Sequence, residues 1–362
     1  MNPIQQLPNF GQSPWLDFIR RGYIQDGSLR RMVDLGIRGV TSNPAIFEKA
    51  IAGSNDYDSE IISLTGAAHS PEEILDTLSI ADVAMAADLF RPVYDQTAGL
   101  DGYVSLEVSP LLADDEEGTV ADGLRLWAAL DRPNVMIKVP ATVAGVAAFQ
   151  RLTAAGVNVN VTLLFSTVRY QAIAKAYIAA LEERHAKNLP LNQASVASFF
   201  VSRVDTLLDS QLESKAPSLV GKIAIANSHM AYKIYEDLFK TERFQKLQEA
   251  GARPQRLLWA STSAKNPAYS PVLYVETLVG PDTVNTMPIE TIDAYLEMGQ
   301  PKDNLTGQYE IQRQHMDEFA DAGFDIEAVA DELQQQAIDK FVEPFEKLLS
   351  ALKAKQDQIV VG

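Results

Sequence analysis

Short apolar runs recur along the chain near residues 17, 40, 106, 137, 160, 199, 258 and 286, and a helical stretch separates each from the next. That alternation leaves few folds open. Eight β/α units within 362 residues predict a closed, parallel (β/α)8 barrel of the TIM type rather than an open, doubly wound sheet. No GxGxxG follows the first run to argue for the open form. The length also admits two or three domains, yet no low-complexity linker or fixed-period repeat divides the chain. We therefore expect one barrel domain over residues 1–362 with extra helices. Residues 300–362 read as a long acidic helical extension packed on it.

The run that says most about chemistry is the fourth, Asn134 to Thr142, NVMIKVPAT. Pro140 cannot donate to a sheet ladder, so the strand is expected to stop near Lys138. A lone ammonium at the C-terminal end of a buried strand is expensive to keep charged. The neutral amine it favours can attack a carbonyl to make a Schiff base. The bland alternative is a lysine that reaches out to solvent or pairs with a carboxylate.

Other polar residues fall at the ends of the other runs. Asp17 follows Trp15 and Leu16 and is either an acid in an apolar setting or an N-cap. Thr41, Ser42 and Asn43 follow Val40, and Pro44 suits a first helical turn, so these residues could simply cap that helix. Glu107 lies near the end of the alternating GYVSLEVSP. In VNVNVTLLFS, Asn158, Asn160 and Thr162 project to one face. That face is solvated on an edge strand, but in a covered parallel strand it is the polar wall of a pocket. SVASFFVSRVD ends in Ser202, Arg203 and Asp205. After Trp259 come Ser261, Thr262, Ser263 and Lys265, whose hydroxyls, amides and ammonium would cup a phosphate, although a flexible loop reads the same. The first ten residues read as a loose arm. In a barrel all these strand ends converge on one mouth, which strengthens the catalytic reading of Lys138 and pairs Arg203 with Ser261 and Lys265 as a phosphate site.

Charge and composition narrow the partners. With 48 acidic against 31 basic residues, the net charge of -17 argues against nucleic acid and anionic membranes, while a local positive pocket remains compatible with an anionic substrate. Cysteine is absent, which excludes disulfides and thiol catalysis. His69, His185, His229 and His315 show no ligand spacing, so no metal and no cofactor is expected. No signal-peptide core or membrane-length apolar run is present, and the expectation is a cytoplasmic protein.

The segments GVTSNPAIF, VSLEVSP, NVMIKVPAT, VNVTLLFS, FFVSRVD and LWASTSAKNPAY occur together and in order across most of residues 12–290. In them the chain resembles the transaldolase family, and its length and acidic helical C-terminus look like the larger bacterial subgroup. The resemblance implies transfer of a dihydroxyacetone unit between sedoheptulose 7-phosphate and glyceraldehyde 3-phosphate, giving erythrose 4-phosphate and fructose 6-phosphate in the non-oxidative pentose phosphate pathway. It puts Lys138 on the Schiff-base lysine, and Glu107 on an acid–base glutamate working through a water held by Asn160 and Thr162. It puts Asp17 on the aspartate that handles the C4 hydroxyl proton. Asn43, with Thr41 beside it, falls on the dihydroxyacetone contact, and Arg203 and Ser261 fall on the phosphate site. Phe200 falls where a phenylalanine accompanies transfer and a tyrosine accompanies simple aldolase behaviour. One departure is visible: where the family often has an arginine in the phosphate loop, the cation here is Lys265, which lacks the bidentate fork. The alternatives are an aldolase releasing free dihydroxyacetone and a silent barrel that binds sugar phosphates or a protein partner. A homodimer is one possible assembly.

Overall fold

The computed structural model describes residues 1–361. Eight parallel strands close into a barrel in chain order: β1 (Gln12–Asp17), β2 (Val40–Thr41), β3 (Val104–Glu107), β4 (Val135–Pro140), β5 (Val159–Leu164), β6 (Ser195–Phe200), β7 (Arg256–Ala260) and β8 (Thr283–Met287). Helices follow the strands and cover the outside, as the (β/α)8 reading anticipates. Both faces of β4, β5 and β6 are fully buried, which is why those segments read as near-continuous apolar runs.

One strand boundary differs from expectation. β4 does not stop at Lys138 but runs on to Pro140. The Ile137 and Ala141 amides donate towards β5, while the Lys138 carbonyl accepts from Val108 on the β3 side. Alternation therefore turns the position of Pro140's missing N–H towards β3, and β3 has already ended at Glu107. No ladder bond is lost, so the proline is tolerated. Gly145 in the next helix makes room for this strand end, since an added Cβ would lie 1.8 Å from the Pro140 carbonyl oxygen.

The N-terminal end of the barrel is closed by a buried ion pair. Asp101 accepts from Ser13 Oγ (2.8 Å), Trp15 Nε1 (3.3 Å) and Arg256 Nη2 (3.0 Å). Asp101 is 1% exposed, so its charge is held by these contacts rather than by water. Gly39 lets the Trp15 indole lie against the chain, because a Cβ there would meet the ring at 2.6 Å.

Both termini are more ordered than the sequence suggests. The expected loose arm forms two helical turns, Pro3–Gln6 and Leu7–Phe10, that bury Ile4 and Leu7 and are opened by an Asn2–Gln5 capping box. The C-terminal region forms two helices, Tyr309–Asp321 and Ile326–Val361, parted at Gly323, whose φ is +85°. The second helix buries Ala330, Leu333, Ala337, Phe341, Leu348 and Leu352 along one face, at helical spacing. It packs on the helices Pro44–Ala52, Asp58–Gly66 and Pro71–Gln96 and on β5.

Candidate active site

Lys138 projects from β4 opposite Glu107 of β3 on one side and Asn160 of β5 on the other. It is 4% exposed. Its Nζ donates to the Ser42 carbonyl oxygen at 3.0 Å and stands 3.3 Å from Glu107 Oε2. Above it lies the Phe341 ring, whose centroid is 5.6 Å from Nζ. Burial pushes the Glu107 carboxyl above the usual carboxylate range; the Lys138 charge pulls against this, and the Asp17 charge adds to it. The pairing with a carboxylate that sequence reasoning set against catalysis is therefore present, but inside the barrel mouth rather than in solvent.

Asp17, at the end of β1, is half-buried next to the same lysine. Thr41 Oγ1 donates to Asp17 Oδ1 at 2.6 Å and lies 2.7 Å from Thr286 Oγ1 on β8. Burial raises the Asp17 carboxyl, against the opposing pull of Lys138, the Thr41 hydroxyl and Arg203. Because Thr41 has a single hydroxyl proton, an ionised Asp17 requires Thr286 to donate in turn to Thr41. Below the lysine, Asn160 Nδ2 donates to Ser105 Oγ (3.1 Å), and Ser198 Oγ donates to Asn160 Oδ1 (2.7 Å). Thr162 is fully buried, and its Oγ1 has no hydrogen-bond partner among the described residues. Asn43 caps the helix Pro44–Ala52, accepting the Ile46 amide at 3.0 Å, and it also lines the cavity that holds Glu107.

Arg203 lies just past β6, in the first turn of the helix Ser202–Lys215, and Ser261 directly follows β7. The Arg203 guanidinium lies over the Phe200 ring at 5.2 Å, and its Nη1 is buried without a hydrogen-bond partner among the described residues. Burial makes its proton easier to lose, and the Asp17 charge opposes that. Ser261 is held at φ +55°, a strained conformation for a non-glycine residue, with its Oγ 3.0 Å from Ser202 Oγ. Its carbonyl accepts the Ser202 amide at 3.0 Å, so that amide is already engaged. Lys265 stands differently. It is exposed, donates to Ser263 Oγ at 2.7 Å and lines a separate hollow of about 290 Å³ with Asp209 and Glu213.

Two carboxylates, an ammonium and a guanidinium thus share a buried mouth with hydroxyls at several edges. Such a set can form an imine, move protons from two acids and hold an anion. A largely apolar cavity of about 600 Å³ adjoins Glu107 and Asn43 and is walled by Leu75, Leu126, Phe345 and Leu348. Among the described residues, no group of three or more His, Cys, Asp or Glu is disposed to hold a metal ion. Sequence reasoning did not single out Ser105, Ser198 or Thr286, although strict strand alternation marks Ser105 with Glu107 and Ser198 with Phe200. Phe341 carries no signal in the sequence beyond helical spacing.

The profile described as "Transaldolase/Fructose-6-phosphate aldolase" matches residues 14–352. A transaldolase of Trichodesmium erythraeum is 43% identical over 370 residues, covering 98% of this chain and 97% of its own length. Transaldolases of Saccharopolyspora erythraea and Thermobifida fusca are each 45% identical, the first covering 98% of both chains and the second 96% of both. On that breadth of match, the chain belongs to the transaldolase/fructose-6-phosphate aldolase family.

Proposed function

We propose that the chain is a transaldolase, a transferase that moves a dihydroxyacetone unit between sedoheptulose 7-phosphate and glyceraldehyde 3-phosphate to give erythrose 4-phosphate and fructose 6-phosphate. The observation that carries the reading is Lys138, 4% exposed at the barrel mouth with Glu107 at 3.3 Å. Its amine attacks the ketose C2 carbonyl, water leaves, and the iminium draws electrons from the C3–C4 bond, one bond removed from the iminium carbon. Asp17 takes the C4 hydroxyl proton as that bond breaks, and Thr41 holds the carboxylate. The aldose phosphate departs and leaves an enamine, which then adds to the acceptor aldehyde by the reverse steps. Glu107 moves the protons of imine formation through a water placed by Asn160 and Thr162. Asn43 contacts the dihydroxyacetone unit, Phe200 keeps the pocket apolar, and Arg203 and Ser261 hold the phosphate, with Lys265 a more distant cation.

The whole chain works as one barrel domain with residues 300–362 as its extension. Sugar phosphates, rather than nucleic acid, are its partners. A cytoplasmic homodimer is the proposed setting. Among the described residues no helix is long and apolar enough to cross a membrane. Borohydride trapping with fructose 6-phosphate, followed by peptide mapping, tests the reading. A reduced adduct on Lys138 that Lys138→Ala lacks is the expected result. No adduct in the folded protein sinks the mechanism, and an adduct on another lysine overturns the site.

A further inference from the structure

The C-terminal helix crosses the mouth and is fixed on both sides of it. On the β5 side, Glu327 accepts from Ser166 Oγ, and Gln334 Nε2 forks between the carbonyl oxygens of Ala141 (3.0 Å) and Leu163 (3.1 Å). Leu163 has φ +61° within the irregular stretch of β5, so this carbonyl comes from a distorted part of the strand. At the far end Lys355 pairs with Asp58, and Gln356 Nε2 donates to the His69 carbonyl at 2.7 Å. Between these anchors Phe341, 5% exposed, lies over Lys138. Pro344, three residues on, cannot make the main-chain bond to Lys340, which loosens the helix just past the ring.

We infer that Phe341 is a positioning residue of the transfer reaction, an apolar roof over the lysine nitrogen that sets how often the enamine reaches an aldehyde rather than being lost to water. The inference rests on the Schiff-base reading of Lys138. Two fates compete at the enamine. In transfer, its nucleophilic carbon bonds to the aldehyde carbon, the aldehyde oxygen takes up a proton, and water then hydrolyses the product imine to free the ketose and the lysine amine. In loss, the same carbon takes a proton from solvent, and water adds to the iminium carbon. The carbon–nitrogen bond then breaks, giving free dihydroxyacetone and the lysine amine. Both routes end in hydrolysis of an imine, so they part at the enamine carbon: a roof that thins water about the enamine slows its protonation, the step by which loss begins.

The test compares wild type, Phe341→Ala, Phe341→Leu and Gln334→Ala in the full chain. Each is given fructose 6-phosphate with and without erythrose 4-phosphate, scoring dihydroxyacetone released per transfer and the borohydride adduct on Lys138. Phe341→Ala is expected to form the adduct and raise release per transfer by about ten-fold or more. Phe341→Leu, which keeps apolar cover, stays within about three-fold of wild type. Gln334→Ala keeps the ring but unpins the helix and raises the ratio in the same direction, which carries the test if the alanine variant at 341 does not fold. Adducts in the folded variants with an unchanged ratio overturn the roof alone, as does an equal rise in Phe341→Ala and Phe341→Leu. No adduct in wild type overturns the Schiff-base reading beneath it.

Discussion

At the scale of single residues, the site separates its cations by burial. Arg203 is held against Phe200 with Nη1 buried and unpartnered among the described residues, whereas Lys265 is exposed and paired with Ser263. A buried guanidinium that meets a phosphate makes charge-assisted bonds that water cannot replace, while an exposed ammonium is screened. Arg203→Ala is therefore expected to raise KM for fructose 6-phosphate by roughly 10- to 100-fold, and Lys265→Ala by no more than about three-fold. Equal effects in steady-state assays would return Lys265 to the phosphate site itself. The carboxylates make a second prediction. Burial raises Glu107, and the Asp17 charge raises it further. A step that needs Glu107 ionised is lost as pH falls through this raised value, so its acid limb lies above the ordinary carboxylate range. Asp17→Asn removes one negative neighbour, and the limb should move to lower pH. The rate of adduct trapping against pH reads this even where cleavage is lost, and a limb that stays put would remove Asp17 from Glu107's surroundings.

At the scale of elements, strand ends divide the labour of the barrel. The C-terminal ends carry Asp17, Glu107, Lys138 and Arg203, and the N-terminal end carries the Asp101 contacts with Ser13, Trp15 and Arg256. Removing Asp101 leaves the buried Arg256 without its counter-charge, which costs about 3–5 kcal/mol. Asp101→Ala should thus lower the urea midpoint sharply while the fraction that remains folded keeps its kcat and KM. Loss of activity in step with an unchanged midpoint would contradict this separation of ends. Eight apolar runs made the strands legible because buried parallel strands show little else. The end of β4 is not legible in the sequence, because a proline's cost depends on which neighbour its missing donor faces, and only the register with β3 decides that.

At the scale of the molecule, what the sequence hid was what covers the mouth. Lys138, Glu107 and Asn160 announce themselves by lying on apolar strands, where a polar side chain needs a reason. Phe341 and Gln334 lie about two hundred residues further on, in a helix whose apolar spacing reads like that of any surface helix. Their meeting with β4 and β5 is a fact of packing alone. Charge is the other property of the whole. The chain carries a net -17, while Asp17, Glu107, Lys138 and Arg203 make a site with equal numbers of acids and cations. On the proposed reading, a dianionic sugar phosphate approaches through a repulsive field before it reaches Arg203. A potential of about one kT at the mouth disfavours a dianion several-fold, and salt screens that long-range term before it reaches a buried contact. Between about 0.01 and 0.1 M ionic strength, kcat/KM for fructose 6-phosphate should rise by a factor of about two to five. The same series with an uncharged ketose donor should stay flat. A steady fall for the phosphate ester would mean that the local contact dominates the approach, and that the acidic envelope is too distant to be felt at the mouth.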